Sequence, residues 1–541
     1  MSEAKPQQQQ SYGGMSRREL FTLFGALMLT MLLASLDQTI VGTALPTIVG
    51  DLHGMDDYTW VVTAYLIATT ASTPLYGKMS DLYGRRPIIL AAIVIFLVAS
   101  ALAGLSQDML QLVLFRGLQG LGAGGLMTLA FTVVSDVLPP RERGKYQGFF
   151  GAVFALSSVA GPVLGGWLAE VDWRWIFYIN LPLGLVALIA VNQVLRRHTI
   201  PTRQHQIDYL GAATLVPAVV CLLLATTWGG QSYAWTSGVI LGLFSASATL
   251  IVLFIFIETR AEEPILPLRM FRQGTFSLAS VIALIFGIAM FSGIIYIPLF
   301  FQMVRGYTPT NSGLLMLPMM GGMVIMSVSS GFMISRVGRY KWFLVAGSTI
   351  TTIGLILFTQ LHLDTPLWLS AIYMLVLGSG MGMFMQPLVL AMQNIVKIED
   401  LGAGTSTNNF ARSLGGAIGT AVLGAVMNTK LDDELAADLP GAVAQLTPEQ
   451  TAGFTQADLA NVMESPTVVQ HLPEPVKEVV QQSFTNGLDL VFTVAASIAA
   501  VSIILTLLLP NLELRGAIAE EQQRHDDPDT DAIRIKSDTS P

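Results

Sequence analysis

Fourteen stretches of this chain are apolar over about 20 residues, the length needed to cross a bilayer core. They run 20–45, 58–77, 87–105, 109–135, 145–168, 175–195, 209–228, 235–257, 276–303, 312–334, 342–361, 366–392, 404–427 and 484–509. None alternates as a strand would, and only helices satisfy the backbone inside such segments. The expected fold class is an all-α integral membrane protein with fourteen transmembrane helices. Composition agrees. Of 541 residues, 52% are hydrophobic and 12% charged, against about 25% charged in a soluble domain. The first apolar run is about twice the length of a signal-peptide core and is expected to remain as a span.

Several function classes fall away. A net charge of -8 argues against a nucleic-acid partner. Cys221 is the single cysteine, so no intrachain disulfide can form. No Gly-x-x-x-x-Gly-Lys-Ser/Thr loop occurs, which argues against ATP hydrolysis. No enzyme activity, catalytic site, metal site or cofactor is expected. The expected partners are the lipid bilayer, protons and a small-molecule substrate. Basic residues give orientation. Of the 29 Lys and Arg, Arg174, Arg305, Lys430 and Lys477 fall opposite the termini, and Arg116 and Arg412 lie within spans. The rest lie on the side of the termini, which predicts that both are cytoplasmic.

The chain repeats itself. The loop after the second span reads "GKMSDLYGRRP" (77–87), and the loop after the tenth reads "GFMISRVGRYK" (331–341). Gly77, Gly84 and Arg85 align without gaps with Gly331, Gly338 and Arg339. The offset is eight spans, a six-helix unit plus two. The expected layout is a tail (1–19), a six-helix bundle (20–198), two inserted helices (199–260), a second six-helix bundle (261–510) and a tail (511–541). Both tails are expected to be disordered. A long acidic loop (428–483) interrupts the second bundle on the outside. Within it, Thr447, Pro448 and Gln450 form a capping-box pattern, and "EPVKEVVQQSF" starts a second helical pattern. Two short helices over the outer mouth are expected. Two related bundles suggest alternating access about a central site. Short Gly-Arg turns, common between membrane helices, are the alternative explanation, but identical spacing at the right offset argues against it.

Two ionisable residues of opposite charge lie at matching depth in the spans. Asp37 is eight residues before the outer end of the first span, and Arg116 is seven residues after the outer start of the fourth. At 1.5 Å per residue both sit about 10–12 Å below the outer boundary. A carboxylate there is costly unless it has a function or a partner. Burial disfavours its charged form and a neighbouring Arg favours it, so Asp37 and Arg116 suit proton coupling. A static ion pair setting helix register is the alternative. Arg412 is about 12 Å inside its span and could snorkel to the cytoplasm.

Other motifs suit movement or binding. In "GPVLGG" (161–166), Pro162 removes a backbone hydrogen bond, while Gly161, Gly165 and Gly166 allow a helix to approach closely. Ordinary tight packing would need the same residues. In the first loop, Gly77 allows close contact and Gly84 a tight turn. Asp81 could accept from the amides at the start of the thirteenth helix, and Arg85 could pair with Asp136. Arg85 and Arg86 would also fix orientation. The chain has 24 Met, dense in "GMGMFMQP" (380–387), where Met381, Met383 and Met385 flank Phe384. Soft side chains beside aromatics suit a broad pocket. Tyr65, Met290, Phe291, Tyr296, Met316, Gln386, Asn408 and Asn409 are the candidate substrate contacts, although most would serve equally as core.

These residues resemble a family. "GKMSDLYGRRP" is similar to the signature loop of the major facilitator superfamily. "LDQTIVGTALP" (36–46), "RGLQGLGAG" (116–124), "GPVLGG", "WRWIFYINLPLG" (173–184) and "GTSTNNFARSLGGAIG" (404–419) resemble its drug:proton antiporter branch with fourteen helices, the EmrB/QacA type. Gly42 stands where that branch usually has Asn, and Ser335 where the first loop has Asp81, which implies a weaker second gate. The resemblance implies a major facilitator fold, an Asp81, Arg85 and Asp136 lock on the inside, and exchange through "GPVLGG". It implies a proton-coupled exporter of lipophilic, cationic drugs across the plasma membrane. A dedicated exporter of an endogenous metabolite or lipid is the alternative on the same fold. A sensor that no longer transports would have no need of a titrating Asp37.

Overall fold

The computed structural model describes residues 15–52, 58–197, 208–230, 232–446, 469–470 and 472–514. The long helices are α1 (Arg17–Leu52), α2 (Tyr58–Tyr83), α3 (Arg85–Gly104), α4 (Met109–Val137) and α5 (Pro140–Asp172). Then come α6 (Trp175–Leu195, broken at Ile179), α7 (Tyr209–Trp228), α8 (Gly238–Glu258) and α9 (Gly274–Leu299). The remainder are α10 (Leu317–Val337), α11 (Lys341–Phe358), α12 (Leu367–Ile395), α13 (Leu401–Val443) and α14 (Glu474–Leu508). Two isolated bridges are the only strand-like pairings among the described residues.

Thirteen helices among the described residues are long and apolar enough to cross a membrane. The fourteenth, α2, has 26 residues, about 39 Å of helix, but mixes Thr, Ser, Lys and Asp into its run. Those groups are satisfied inside the protein. Thr69 Oγ1 donates to Gly120 O at 3.1 Å, and Ser72 Oγ to Leu121 O at 3.4 Å.

The buried apolar residues fall into four clusters. One is drawn from residues 270–514 together with Ala155. Two are drawn from residues 15–195 together with Val389. The fourth joins Ile67 and Ala71 of α2, Leu215, Val219 and Leu223 of α7, Phe254 of α8, and Ile265 and Leu266 just beyond it. α5 packs on α10 and α2 on α13, so these pairs form the two seams between the larger groups. α7 lies across the second seam, touching both α2 and α13. The end of the molecule that carries the Gly77–Pro87 loop holds most of the basic residues and is termed the basic end.

Several helices outrun their apolar segments, because hydropathy marks contact with lipid and not the reach of backbone hydrogen bonding. α1 continues to Leu52 instead of stopping at Leu45, and begins at Arg17, inside the expected tail. α13 has 43 residues, about 65 Å, far more than a bilayer needs. Its extension replaces the first part of the expected loop. It packs on the start of α14, where Asn486 Nδ2 donates to Glu434 Oε2 at 2.9 Å. "EPVKEVVQQSF" is helical but forms the opening turns of α14, not a separate helix. Thr447, Pro448 and Gln450 lie outside the described residues. At the other end, Leu514 N donates to Gly338 O at 2.9 Å and Arg339 Nη2 pairs with Glu513 at 2.5 Å. The first residues of the expected C-terminal tail are therefore held in place.

The segment between α8 and α9 is tied on both sides. Glu258 Oε1 accepts from Ile265 N at 3.0 Å, turning the chain back under α8. Glu263 pairs with Lys78 of α2 at 2.6 Å. Arg269 Nη2 donates to both Asp400 carboxylate oxygens, at 2.9 and 3.0 Å. The Asp400 hydrogen bond holds the Arg269 guanidinium above its ordinary range.

Candidate functional site

Asp37 sits at the centre of a dry polar network. Arg116 Nη1 is 2.5 Å from Asp37 Oδ2, and their side chains are 1% and 0% exposed. Asp37 Oδ1 accepts from Gln119 Nε2 at 2.8 Å and from Asn180 Nδ2 at 3.0 Å. Ser100 Oγ accepts from the same two amides, at 2.5 and 3.1 Å. Arg116 also donates to Gln119 Oε1 at 2.7 Å and to Val61 O at 3.3 Å. Its guanidinium lies 4.2 Å from the Tyr65 ring centroid, and Tyr65 Oη donates to Ala34 O at 3.0 Å. Side chains from α1, α2, α3, α4 and α6 thus converge on one carboxylate. Tyr65, read from sequence as a substrate contact, is consumed by this network.

Three donors, the Arg116 guanidinium and two side-chain amides, hold the Asp37 carboxylate in one orientation. Asn180 is placed for this by the break in α6 at Ile179, which starts a new helical segment at Asn180. Gln119 and Asn180 both lie inside motifs quoted above, but neither was singled out from sequence. Ser100 carried no signal at all.

At the basic end a second polar cluster joins the two halves. Asp81 accepts from Gly402 N at 3.1 Å and Ala403 N at 2.9 Å, at the start of α13. Arg85 bonds to Asp81, to Ser80 Oγ at 2.7 Å and to Asp136 Oδ2 at 2.5 Å. Gly84, with φ 87°, makes the turn that swings Arg85 back. Arg86 stands apart from the acids and donates to Asn192 Oδ1 of α6, at 3.1 and 2.8 Å. Gly77 has no room for a side chain, since a Cβ would stand 2.6 Å from Gly402 O. Its repeat counterpart Gly331 is pressed equally hard against Gly144 of α5. On that seam Ser327 Oγ donates to Gly148 O at 3.0 Å, and Gln147 Nε2 to Gln393 Oε1 at 2.9 Å. Ser335, where Asp81 stands in the first copy, donates to its own turn at Phe332 O, 2.7 Å away.

The "GPVLGG" motif brings α5 against α1. A Cβ at Gly161 would collide with Thr39, and one at Gly165 would stand 2.5 Å from Ile40 O. Gly166 is looser, with Thr310 Oγ1 at 3.7 Å. Pro162 faces Gly313 on the α10 side. Gly42 faces open space.

The methionine-rich stretch packs within the second half. Met381, Phe384 and Met385 are buried in the cluster of the second half, with Met290, Tyr296 and Met316. Phe384 stacks on Phe286 at 4.3 Å, interplanar angle 24°. Packing in a membrane bundle uses the same soft residues as a pocket, so their identity could not discriminate. Tyr296 Oη donates to Thr420 O at 2.9 Å. Phe291 packs where a Cβ on Gly416 would stand. Gln386, Asn408 and Asn409 are also buried. With its amide turned, Gln386 reaches Gln147 O and Gly151 N across the seam, at 3.2 and 3.3 Å.

Residues 27–420 match the family model described as Major Facilitator Superfamily. The multidrug transporter protein MdtP of Bacillus subtilis (strain 168) is 39% identical over 527 residues, covering 94% of this chain and 96% of that protein. Multidrug resistance protein 3 of the same organism is 38% identical over 417 residues, covering 77% and 81%. Among solved structures, the proton:xylose symporter XylE superposes with a TM-score of 0.58 at 14% identity, covering 92% of this chain and 97% of that one. That last likeness concerns the fold.

Proposed function

As the chain belongs to the Major Facilitator Superfamily, we propose that it is a proton-coupled antiporter exporting lipophilic small molecules, cationic drugs among them. It is a multi-pass membrane protein with relatives named as multidrug transporters. We place it in the plasma membrane with the basic end in the cytoplasm, acting as a carrier without catalysis. The buried Asp37–Arg116 pair carries the reading. A charge pair of this kind, sealed from water and ringed by amides, is costly as mere scaffold. It is economical as a group that exchanges a proton for a rearrangement.

The contacts at the basic end support a state closed to the cytoplasm, with Asp81, Arg85 and Asp136 as the lock. Opening would separate Asp81 from α13 and Gly331 from Gly144. "GPVLGG" then serves as the surface on which α5 moves against α1. Cations would compete with the proton for Asp37, the one acid near the central depth, so monovalent cations would be exported better than rigid dications.

The deciding experiment is dye efflux from inverted vesicles with and without a proton gradient, across chemically varied substrates. Gradient-dependent export of several unrelated lipophiles is expected. Export independent of the gradient would overturn proton coupling. Export confined to one chemical class would favour a dedicated metabolite exporter. Asp37→Asn should insert normally and lose uphill export, and proton-coupled accumulation by that variant would refute the assignment.

A further inference from the structure

The second half of the molecule carries an unsatisfied polar stripe that the proton pathway leaves unused. Asn408, Asn409 and Arg412 lie on one side of α13, three and four residues apart. Asn409 is 4% exposed, and neither its Nδ2 nor its Oδ1 has a hydrogen-bond partner. Asn408 Oδ1 and Arg412 Nη1 are likewise sealed from solvent and unpartnered. No carboxylate pairs with Arg412 among the described residues. Leaving such buried groups without partners is costly, and most of all for a charge.

The flanks of α13 show where the stripe faces. Gly415, Gly416 and Gly419 press on Leu284, Phe291 and Ile288 of α9. Phe410, Leu414 and Ala417 pack with Ile67 of α2 and Leu215 of α7. At 3.6 residues per turn the stripe shares the side of α13 that carries those glycines, about one turn nearer the basic end, and Gly287 of α9 lies against the Arg412 carbonyl. Arg412 is ten residues past Gly402, about 15 Å from the basic end, near mid-membrane. Thr405, on the same side of the helix, hydrogen-bonds to Gln393 of α12 at 3.2 Å. Gln393 in turn reaches α5 through Gln147. Around the stripe the polar groups are amides and hydroxyls. Asp37, the acid nearest this depth, is occupied by its own donors.

We infer that Arg412 with Asn408 and Asn409 forms a subsite for an anionic group on a lipophilic ligand, such as a carboxylate. This rests on the reading of the central region as a substrate cavity. The guanidinium supplies charge, and the two carboxamides supply donors that fix the group's orientation. A bound anion would satisfy the orphaned donors and neutralise the one unpaired cation of the stripe. The substrate range would then extend beyond cations that meet Asp37 to lipophilic anions that meet Arg412. The two charges would occupy separate halves.

The test is equilibrium binding to the purified full-length protein, with 1-pyrenebutyrate and 1-pyrenebutylamine as matched fluorescent probes. No proton gradient is applied, so the result does not depend on coupling. Arg412→Gln should weaken pyrenebutyrate about tenfold, roughly 1.4 kcal/mol, and leave pyrenebutylamine unchanged. Arg412→Lys should retain the carboxylate, which keeps the test usable if the Gln variant folds poorly. Asn409→Leu should weaken pyrenebutyrate without affecting the amine. Unchanged pyrenebutyrate binding to Arg412→Gln, or equal weakening of both probes, would overturn the subsite. Asp37→Asn separates the two proposals. It should abolish coupled export and leave pyrenebutyrate binding intact.

Discussion

Asn180 Nδ2 stands 3.0 Å from Asp37 Oδ1, although 143 residues separate them in the chain. With Gln119 it fills the carboxylate oxygen that Arg116 leaves free. Asn180 is therefore a positioning residue for the proposed proton carrier. Asn180→Leu removes one of the donors that orient the carboxylate. Gradient-driven dye export by this variant should fall about tenfold, the scale of one lost hydrogen bond to a charged group, while insertion and downhill dye release are unchanged. Asn180→Ser should recover part of the export. Equal loss of uphill and downhill transport would reduce Asn180 to packing.

The proposed lock of Asp81, Arg85 and Asp136 should fail when its shared cation is removed. Arg85→Gln leaves Asp81 and Asp136, both under 10% exposed, without the cation they share, and Asp81 keeps only the Gly402 and Ala403 amides. Breaking a buried pair from one side costs about 3–5 kcal/mol. Labelling of cysteines placed in the cavity, with a reagent added from the cytoplasmic side, should accelerate strongly. Asp81→Asn keeps only one of the two oxygens that accept from Gly402 N and Ala403 N and should lower turnover more than insertion.

Gly331→Ala offers a contact test in which helix propensity runs the other way. Alanine is about 1 kcal/mol better than glycine inside a helix. A Cβ at 331 would nevertheless run into the backbone of Gly144. The variant should insert normally but populate states open to the cytoplasm, read as longer α5–α10 distances by spin labelling. Gly321→Ala, on the same helix with nothing within 4 Å, should leave the distances unchanged.

Phe384→Ala should behave as a core truncation. Its ring is buried and stacked on Phe286, so a loss of about 3–5 kcal/mol is expected. Thermal unfolding of the purified protein should shift down equally with and without substrate. A loss confined to binding of one substrate would return this stretch to the pocket.

The pairing of Asp37 with Arg116 was legible because helical rise converts sequence offsets into depth. Depth does not say which way a helix is turned, so Asn180 and Ser100 had no means of declaring themselves. The lock at Arg85 was legible because a short loop confines Asp81 and Arg85 to one neighbourhood. Arg86 illustrates the limit. It adjoins Arg85 in sequence, yet the turn sends it to Asn192 on the opposite flank. The methionines left the choice open because packing and pocket draw on the same chemistry. The length of α13 was hidden because hydropathy falls at Lys430 and Asp432 while hydrogen bonding continues to Val443. The ion pairs of Glu263 and Asp400 depend on how a linker folds back, which no periodicity records.

That linker gives closure two layers that differ in their response to ionic strength. Lys78–Glu263 and Arg269–Asp400 keep one member each partly in water, at 27% and 61% exposure. Counterions reach such pairs, and surface charges are screened over about 8 Å at physiological salt. Asp81, Arg85 and Asp136 lie out of reach of counterions. Raising salt therefore loosens the linker's hold across the two bundles while the inner lock stands. In the proposed cycle, the balance between open and closed forms should therefore shift with ionic strength at the basic end, independently of any proton gradient.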